Sequence, residues 1–415
     1  MENQIKKHLL FIESNTTGTG LKAFGIAKNL GHRGLLLTKD FSQYSNFNFV
    51  ENIVCDTDDI NAIKKSIELI GIENICGITT TSEYYVEIAA EISTYYGFIG
   101  SSPEIIRRYR DKALLRSVLS DTNVVQPEYQ IVEDITGSED VLNEIKFPCV
   151  VKPTEDSGSN NVKLCKDKAD VREHMKLILS KKTNMRGQLI KPKVLIEEYI
   201  EGKEYSVELF INKERITLIG ITEKRTTGNP FFVECRHIFP SNFKKEESNI
   251  VYKTVAEAVG KLGYVNGALH AEIKMNKGKC VIIEINPRLA GGMIPELIKL
   301  STGIDVLKYH INSFIDNDIF FEVNAERYAG IQFLISPFEG ALDEIRGLEK
   351  INELKGFHYS NINLNKGSRV RKAQNSSDRL GYFIFQSKSY KEIHSMLDQL
   401  LDMIEIIEGE AASQI

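Results

Sequence analysis

The sequence predicts an α/β fold that opens on a doubly wound, mainly parallel sheet, continues into a strand-rich α+β region and closes on a small α+β cap. Three observations carry this expectation. Apolar strands alternate with amphipathic helices over the first hundred residues, long strands paired through short turns fill the stretch from Val194 to Asn286, and the residues after 320 hold shorter strands and one closing helix.

The elements follow in order. Strand "HLLFI" leads to a helix near Thr19–Leu30 and then to strand "GLLLT"; "ENIVCD" is followed by an amphipathic helix near Asp58–Ile70. "ICGITT" runs into a helix around Glu83–Tyr96. After Pro103 the pattern changes: "DKALLRSVLS" reads as a helix, "EYQIV" as a strand, and "FPCVVKP" as a buried strand with proline at both ends. Gly-, Ser- and Asn-rich "EDSGSNN" turns into "VKLC". "VLIEEYI" begins the strand-rich region, and "EYSVELFINKERITLIGIT" reads as a hairpin turning at Asn212–Lys213. A helix near Glu246–Leu262 precedes a second hairpin, "ALHAEIKM" and "KCVIIEI", joined by "NKGK". The closing amphipathic helix lies near Tyr390–Ile404.

At 415 residues the chain has length for about three domains and their cores. With 42% hydrophobic and 26% charged residues and a net charge of −5, it offers no electrostatic reason to bind nucleic acid or a membrane surface. The longest early apolar run, "LLFI", is too short for a signal segment or a membrane span. Cys55, Cys76, Cys149, Cys165, Cys235 and Cys280 are scattered, with no C-x-x-C pair, which favours reduced thiols in a cytoplasm.

One early motif points elsewhere. In "ESNTTGTGLKA", Gly18, Gly20 and Ala23 stand at G-x-G-x-x-A spacing, with Asp40 twenty residues beyond Gly20, the spacing of a dinucleotide-binding turn. Such a turn usually follows its strand directly so that the pyrophosphate meets the helix N-terminus, whereas "ESNTT" intervenes here. A Gly/Thr turn capping its helix, or a loop facing a substrate held elsewhere, are the alternatives.

Four features carry chemistry. In "HAEIKMNKGKCVIIEINPR", Glu284 and Asn286 are two apart on one strand and share a face, and the hairpin can bring Glu272 beside them. Two carboxylates and an amide oxygen suit Mg²⁺ that keeps waters and bridges phosphates. Arg288 can present a guanidinium to a phosphoryl group or a developing oxyanion. An ordinary charged surface hairpin is the bland reading, but Glu284 follows the apolar run "CVII", and a buried carboxylate needs a partner. Second, Lys152 ends "PCVV", where a lysine is costly without an anion; "SGSNN" beyond it can fold backbone N–H groups over phosphates. Lys112 is a further phosphate contact or a solvated helix residue. Third, "VLIEEYIEGKEYSVE" breaks at Gly202 and offers backbone to an adenine edge, with Glu204 placed for ribose hydroxyls; Glu197, Glu198, Glu201 and Glu204 read otherwise as an acidic edge. Fourth, the glycines of "LAGG", Leu289–Gly292, let backbone approach a substrate or simply make a tight turn.

In this order the segments "FPCVVKP", "VLIEEYIEGKEYSVE" and "HAEIKMNKGKCVIIEINPRLAGG" resemble the ATP-grasp superfamily, most strongly over Lys112–Gly303. The start "LLFIESNTTGTG", "TTTSEYYVEIAAEI" and "INPRLAGGMIPELI" look most like L-amino-acid ligases, the carboxylate–amine ligases of bacilysin, rizocticin and dapdiamide biosynthesis. The resemblance implies an ATP-grasp fold with a Rossmann-like domain over 1–110, a central subdomain with the phosphate loop over 111–195, a catalytic and metal-binding subdomain over 196–320 and a cap over 321–415. It implies a cytoplasmic, ATP-dependent enzyme joining two L-amino acids, or a related carboxylic acid and an amino acid, through an acyl phosphate. No nucleic acid or membrane takes part, and homodimers are common among look-alike enzymes.

Carried onto this chain, Lys112 and Lys152 hold ATP phosphates, and Ser157, Gly158 and Ser159 form the loop that covers them. Glu197 and Ile200 sit at the adenine hinge, largely through backbone, and Glu204 binds ribose. Glu272, Glu284 and Asn286 match the ligands of two Mg²⁺ ions, with Mn²⁺ as a substitute. Arg288 steadies the acyl phosphate and tetrahedral intermediate, with Gly291 and Gly292 beside it. Glu83 recognises the amino group of the carboxyl-activated substrate, His237 lies near the substrate pocket, and Lys224 reaches toward the γ-phosphate. Bacilysin-type ligases carry a large aromatic where this chain has Gly292, so the pocket is expected to be roomier. ATP then binds between the later domains, and NAD is not required. The competing readings are another ATP-grasp enzyme (a formate-using transformylase or a biotin-carboxylase-like enzyme), an NAD-dependent oxidoreductase resting on the early glycines alone, and a non-catalytic ATP-binding regulator.

Overall fold

Four parallel strands form the amino-terminal sheet: β1 (His8–Ile12), β2 (Arg33–Thr38), β3 (Glu51–Val54) and β4 (Ile75–Thr79), in the order β3-β2-β1-β4. Side chains alternate across a strand, so β1 feeds two cores. Leu9 and Phe11 pack with Ala23, Phe24 and Ala27 of helix α1 (Thr19–Asn29). Leu10 and Ile12 pack with Ile63 and Ile67 of α2 (Ile60–Ile70) and with Ala89 and Ile92 of α3 (Val86–Tyr96). The computed structural model describes residues 7–16, 19–44, 50–135, 138–213, 215–316, 318–362 and 364–409. Gly18 of the early glycine motif lies outside them.

Two short helices lead to the next layer. Helix α4 (Pro103–Arg110), which the sequence pattern did not reveal, begins with Pro103 in its first turn and is capped by Ser102, whose hydroxyl accepts from Ile105 N. Asp111 ends it and caps α5 (Lys112–Leu119), accepting from Ala113 N at 2.8 Å. The central subdomain then sets β5 (Tyr129–Val132), β6 (Cys149–Pro153), β7 (Lys163–Cys165) and β8 (Val194–Glu198) in an antiparallel sheet of order β5-β8-β6-β7. Helices α6 (Ser138–Glu144) and α7 (Lys168–Leu179) belong to this subdomain. Val151, Val194 and Ile196 are buried with Val171, Met175 and Ile178 of α7.

The largest sheet places the chemistry. It contains β9 (Lys203–Asn212), β10 (Arg215–Thr226), β11 (Glu234–Phe239), β12 (Asn266–Asn276) and β13 (Lys279–Asn286). Along β9 and β12 the residues Val207, Leu209, Ile211, Ala271 and Ile273 bury against Val251, Val255 and Val259 of α8 (Lys245–Leu262). Period-2 alternation sends Glu204, Ser206, Glu208, His270, Glu272 and Lys274 to the opposite face. A row of polar side chains on one face of a buried sheet marks a site. Helices α9 (Ile294–Thr302) and α10 (Val306–Asn312) follow β13.

The cap adds β14 (Tyr328–Ile335), β15 (Gly340–Arg346), β16 (Phe357–Ile362), β17 (Arg369–Val370), β18 (Arg379–Ser387), helix α11 (Tyr390–Met403) and β19 (Glu405–Glu408). The large sheet runs through it, in the order β13-β12-β9-β10-β11-β14-β18-β16, while β17-β15-β19 form a small sheet of their own. The expected divide after residue 320 therefore does not interrupt the hydrogen-bond ladder, because β11 pairs directly with β14. Among the described residues, no helix is long and apolar enough to cross a membrane.

Candidate active site

A cleft of about 420 Å³ lies where the amino-terminal, central and large sheets meet, with one cap segment reaching in. Lys112, Lys152, Ser157, Gly158, Ser159, Ile200, Glu204, Glu83, Arg288, Gly291, Gly292, Glu272, Glu284 and Asn286 all line it. Glu197, His237 and Lys224 do not; they stand behind its wall.

Glu272 and Glu284 are direct partners across β12 and β13, and His270 pairs with Asn286 two residues along. With its amide oriented to donate, Asn286 lies 3.1 Å from Glu284 Oε1 and 3.3 Å from Glu83 Oε1. Lysines compensate the acids: Lys112 Nζ is 3.1 Å from Glu284 Oε1, and Lys224 Nζ is 3.0 Å from Glu272 Oε1 and 3.4 Å from Glu204 Oε1. Lys224 also pairs with Glu234. Burial pulls its ammonium down, but the surrounding carboxylates outweigh this and hold it well above the usual lysine range. His270 bridges Glu208 (Nδ1–Oε2 3.0 Å) and Glu272 (Nε2–Oε1 3.3 Å), and these acids raise it to about 9 against the opposing effect of burial.

Among the described residues, no three His, Cys, Asp or Glu side chains form a metal-binding group. What faces the cleft is two carboxylates and an amide: hard oxygen donors suited to Mg²⁺ whose remaining ligands are waters and phosphate oxygens.

Lys152 sits in a buried ion triad. Its Nζ is 2.6 Å from Glu197 Oε2, and Arg116 Nε donates to Glu197 Oε1 at 2.7 Å. Burial pushes Glu197 up, yet Arg116 and Lys152 more than offset it and hold the acid low. The carboxylate of Glu197, expected at an adenine hinge, thus turns inward to neutralise the cation that faces the cleft. The Ser157–Ser159 loop is pinned from two sides: Tyr84 donates to Asp156 Oδ1 at 3.1 Å, and Ser376 N donates to Gly158 O at 3.2 Å. At the hinge itself, Tyr199 and Phe232 stack with ring centroids 5.9 Å apart, and Lys274 Nζ donates to Ile200 O at 3.1 Å.

Glu83, expected to await a substrate amino group, already holds two arginines. Arg288 Nε donates to its Oε2 at 2.6 Å, and Arg110 pairs with its Oε1. Its short helical turn, Glu83–Tyr85, precedes α3 and aims it across the cleft. Gly292 has φ +57°, and a Cβ there would stand 2.6 Å from His237 Nε2. The space a glycine leaves at this position is therefore occupied by His237, which is itself 3.5 Å from Glu234 Oε2.

Several cleft residues escaped the sequence reading: Arg186, Phe232, Lys274, Ser376 and Arg379. Lys274 had a signal, since it shares the face of Glu272 two residues away on β12. Arg379 comes from the cap, with Nη2 3.0 Å from Glu234 Oε2, a contact across 145 residues that nothing local announces.

The early glycine turn has a different use. A Cβ on Gly20 would lie 1.9 Å from Asn15 O, so this glycine accommodates the chain's own loop. Asp40 caps the following turn, accepting from Ser42 N at 2.9 Å. Glu13 fills the crevice at the carboxyl end of β1, accepting from Lys39 N, Thr57 Oγ1 and Thr38 Oγ1.

This combination of a carboxylate-bearing strand pair, two cleft lysines and a glycine-containing loop over them defines an ATP-grasp protein, and residues 145–296 match the family described as ATP-grasp domain. Residues 332–408 match L-amino acid ligase C-terminal domain 2. These two matches give the chain an ATP-grasp domain and an L-amino acid ligase C-terminal domain, the pairing of a ligase that forms carbon–nitrogen bonds. It is similar to protein y4rH of Sinorhizobium fredii, with 27% identity over 97% of this chain and 83% of that one. It is also similar to dapdiamide A synthase of Enterobacter agglomerans, with 25% identity over 62% of this chain and 63% of that one. In fold it resembles the L-amino acid ligase of Bacillus licheniformis, with a TM-score of 0.85 and 22% identity over 98% of this chain and 100% of that one.

Proposed function

We propose that the chain joins the carboxyl group of one L-amino acid, or of a related carboxylic acid, to the amine of another amino acid, using ATP and releasing ADP and phosphate through an acyl phosphate. The observation that carries this reading is the register pair Glu272–Glu284, with Asn286 beside it, facing the same cleft as Lys112, Lys152 and Arg288. The similarity to dapdiamide A synthase supports the choice of an amide-forming reaction.

In this reading Lys112 and Lys152 offset the charge of the nucleotide's phosphates, and Tyr84 and Ser376 hold the loop over them. Glu272, Glu284 and Asn286 would hold Mg²⁺, which supplies charge neutralisation to crowded phosphoryl oxygens. Glu204, flanked on neighbouring strands by Lys224 and Lys274, faces the ribose end. Arg288, oriented by Glu83, donates to the oxyanion that develops as the amine attacks. Removing one such donor typically costs about 10²–10³ in rate. Closure of the loop keeps water from the activated acyl group.

The test is a phosphate-release screen with ATP, Mg²⁺ and all pairs of amino acids, followed by product mass. A product heavier than either amino acid by the other less one water supports the reading, and absence of any phosphate release across the screen refutes it. Arg288→Ala is expected to abolish ligation while leaving nucleotide binding in place; ligation within a few-fold of the parent would remove Arg288 from its role.

A further inference from the structure

Six lysine and arginine side chains line the cleft: Lys112, Lys152, Arg186, Lys274, Arg288 and Arg379. Four are paired with an acid: Lys112 with Glu284, Lys152 with Glu197, Arg288 with Glu83 and Arg379 with Glu234. Lys274 faces Glu204 across the strand and stands over the Tyr199 and Phe232 rings at 5.0 and 5.5 Å. Arg186 is different. Its guanidinium spends Nη2 on Ser14 O at 2.6 Å and Nη1 on Gln43 Oε1 at 3.2 Å, both neutral acceptors, and it forms no ion pair among the described residues.

The surroundings of Arg186 are polar and uncharged. Ser14, whose carbonyl anchors it, shares a 2.7 Å hydrogen bond with Thr81, and Asn15, Thr19, Thr80 and Thr81 form the adjoining wall. Two acids stand one link away and are bonded elsewhere: buried Glu13 accepts from Lys39 N, Thr38, Thr57 and Tyr44, and exposed Asp40 accepts from Gln43 Nε2, Ser42 N and Ser42 Oγ. Ser14 and Thr80 follow the carboxyl ends of β1 and β4, where ligands of open α/β sheets lie. Glu83, with Arg288 on it, comes three residues after Thr80. Arg288 and Arg186 line the same cleft, so one substrate can meet both.

We propose that Arg186 receives a second carboxylate on the carboxyl-activated substrate, making that substrate a dicarboxylic acid or an amino acid with an acidic side chain. A cleft guanidinium without an acid matches a carboxylate in shape and charge. The proposal rests on the ligase reading for the substrate's role, while the binding site itself can be tested without turnover.

The experiment titrates the full chain calorimetrically with L-glutamate and with L-glutamine, an acid and its neutral amide, and measures phosphate release with ATP, Mg²⁺ and amine acceptors in parallel. Glutamate is expected to bind about ten- to a hundredfold more tightly than glutamine. Arg186→Gln should bring that ratio toward one, and Arg186→Lys should recover part of it. Gln43→Ala, which removes a neutral partner but no charge, should leave the ratio standing and so separates anion recognition from a merely structural latch. Equal binding of acid and amide, binding of neither, or a ratio unchanged in Arg186→Gln overturns the proposal. Selective glutamate binding with no phosphate release under any acceptor upholds the anion site and refutes the ligase reading. Phosphate release confined to neutral acids does the reverse.

Discussion

Arg288 Nε donates to Glu83 Oε2 at 2.6 Å, joining side chains 205 residues apart. The acid comes from the amino-terminal domain and the arginine from the loop after β13, so the bond spans the cleft. Burial raises Glu83, but Arg288 and Arg110 outweigh that and hold it as a carboxylate. Glu83→Gln keeps the shape and removes the charge that orients Arg288. Turnover is expected to fall about a hundredfold, the scale of a small misplacement at a reacting centre, with nucleotide affinity retained. Phosphate-release kinetics beside a fluorescent-nucleotide titration read both quantities.

The Arg116–Glu197–Lys152 triad predicts a stability effect behind the cleft. Glu197→Gln leaves two cations facing each other out of water, and breaking such a buried set costs about 3–5 kcal/mol. Arg116→Met in the same chain relieves the repulsion and should recover part of the loss. Urea denaturation of the single and double variants measures it; a single-variant loss near zero would show that water reaches the triad.

Gly292 and His237 form a coupled pair. Gly292→Ala places a side chain at φ +57°, which costs about 1–2 kcal/mol, and pushes on His237 Nε2. Adding His237→Ala removes the contact but not the backbone strain. The double variant should therefore be more stable than the sum of the singles, by about 0.5–3 kcal/mol. Strict additivity in a denaturation cycle would mean that His237 swings aside freely.

His310 predicts how stability responds to acid. Burial pushes its imidazole from 6.5 down to about 4, and its Nδ1 accepts from Ala268 N at 3.1 Å, so protonation breaks a bond as well as burying a charge. The unfolded chain binds the proton more readily. This residue's contribution is complete above pH 6.5 and is lost as pH falls toward 4, on the order of 3 kcal/mol in all. His310→Gln should flatten that part of the stability profile relative to the parent; identical slopes between pH 4 and 6.5 would refute the assignment.

Much of the fold was legible because periodicity reports burial directly. Strands such as "HLLFI", "CVVKP" and "KCVIIEI" and the helices ending at Asn29, Ile70, Tyr96, Leu262 and Met403 fall where the apolar pattern places them. Helices α4, α6, α7 and α10 were missed, as was strand β11: α4 starts on a proline that reads equally as a loop, and α7 begins at Lys168, in a stretch dense with charge. At the site, Glu272, Glu284 and Asn286 were readable because two-residue spacing fixes a shared face. The partners of Glu83, Glu197 and Gly292 were not. Each is set by contacts between distant segments, and no local pattern encodes which cation an acid will meet.

The loop over the lysines is fastened from outside its own subdomain, because the amide of Ser376 holds the carbonyl of Gly158. Lifting it breaks a bond to the far end of the chain, so the exchange of that one amide proton with solvent times each opening. Shortening the chain before Asn375 would leave the lid unfastened even with every cleft-floor side chain in place.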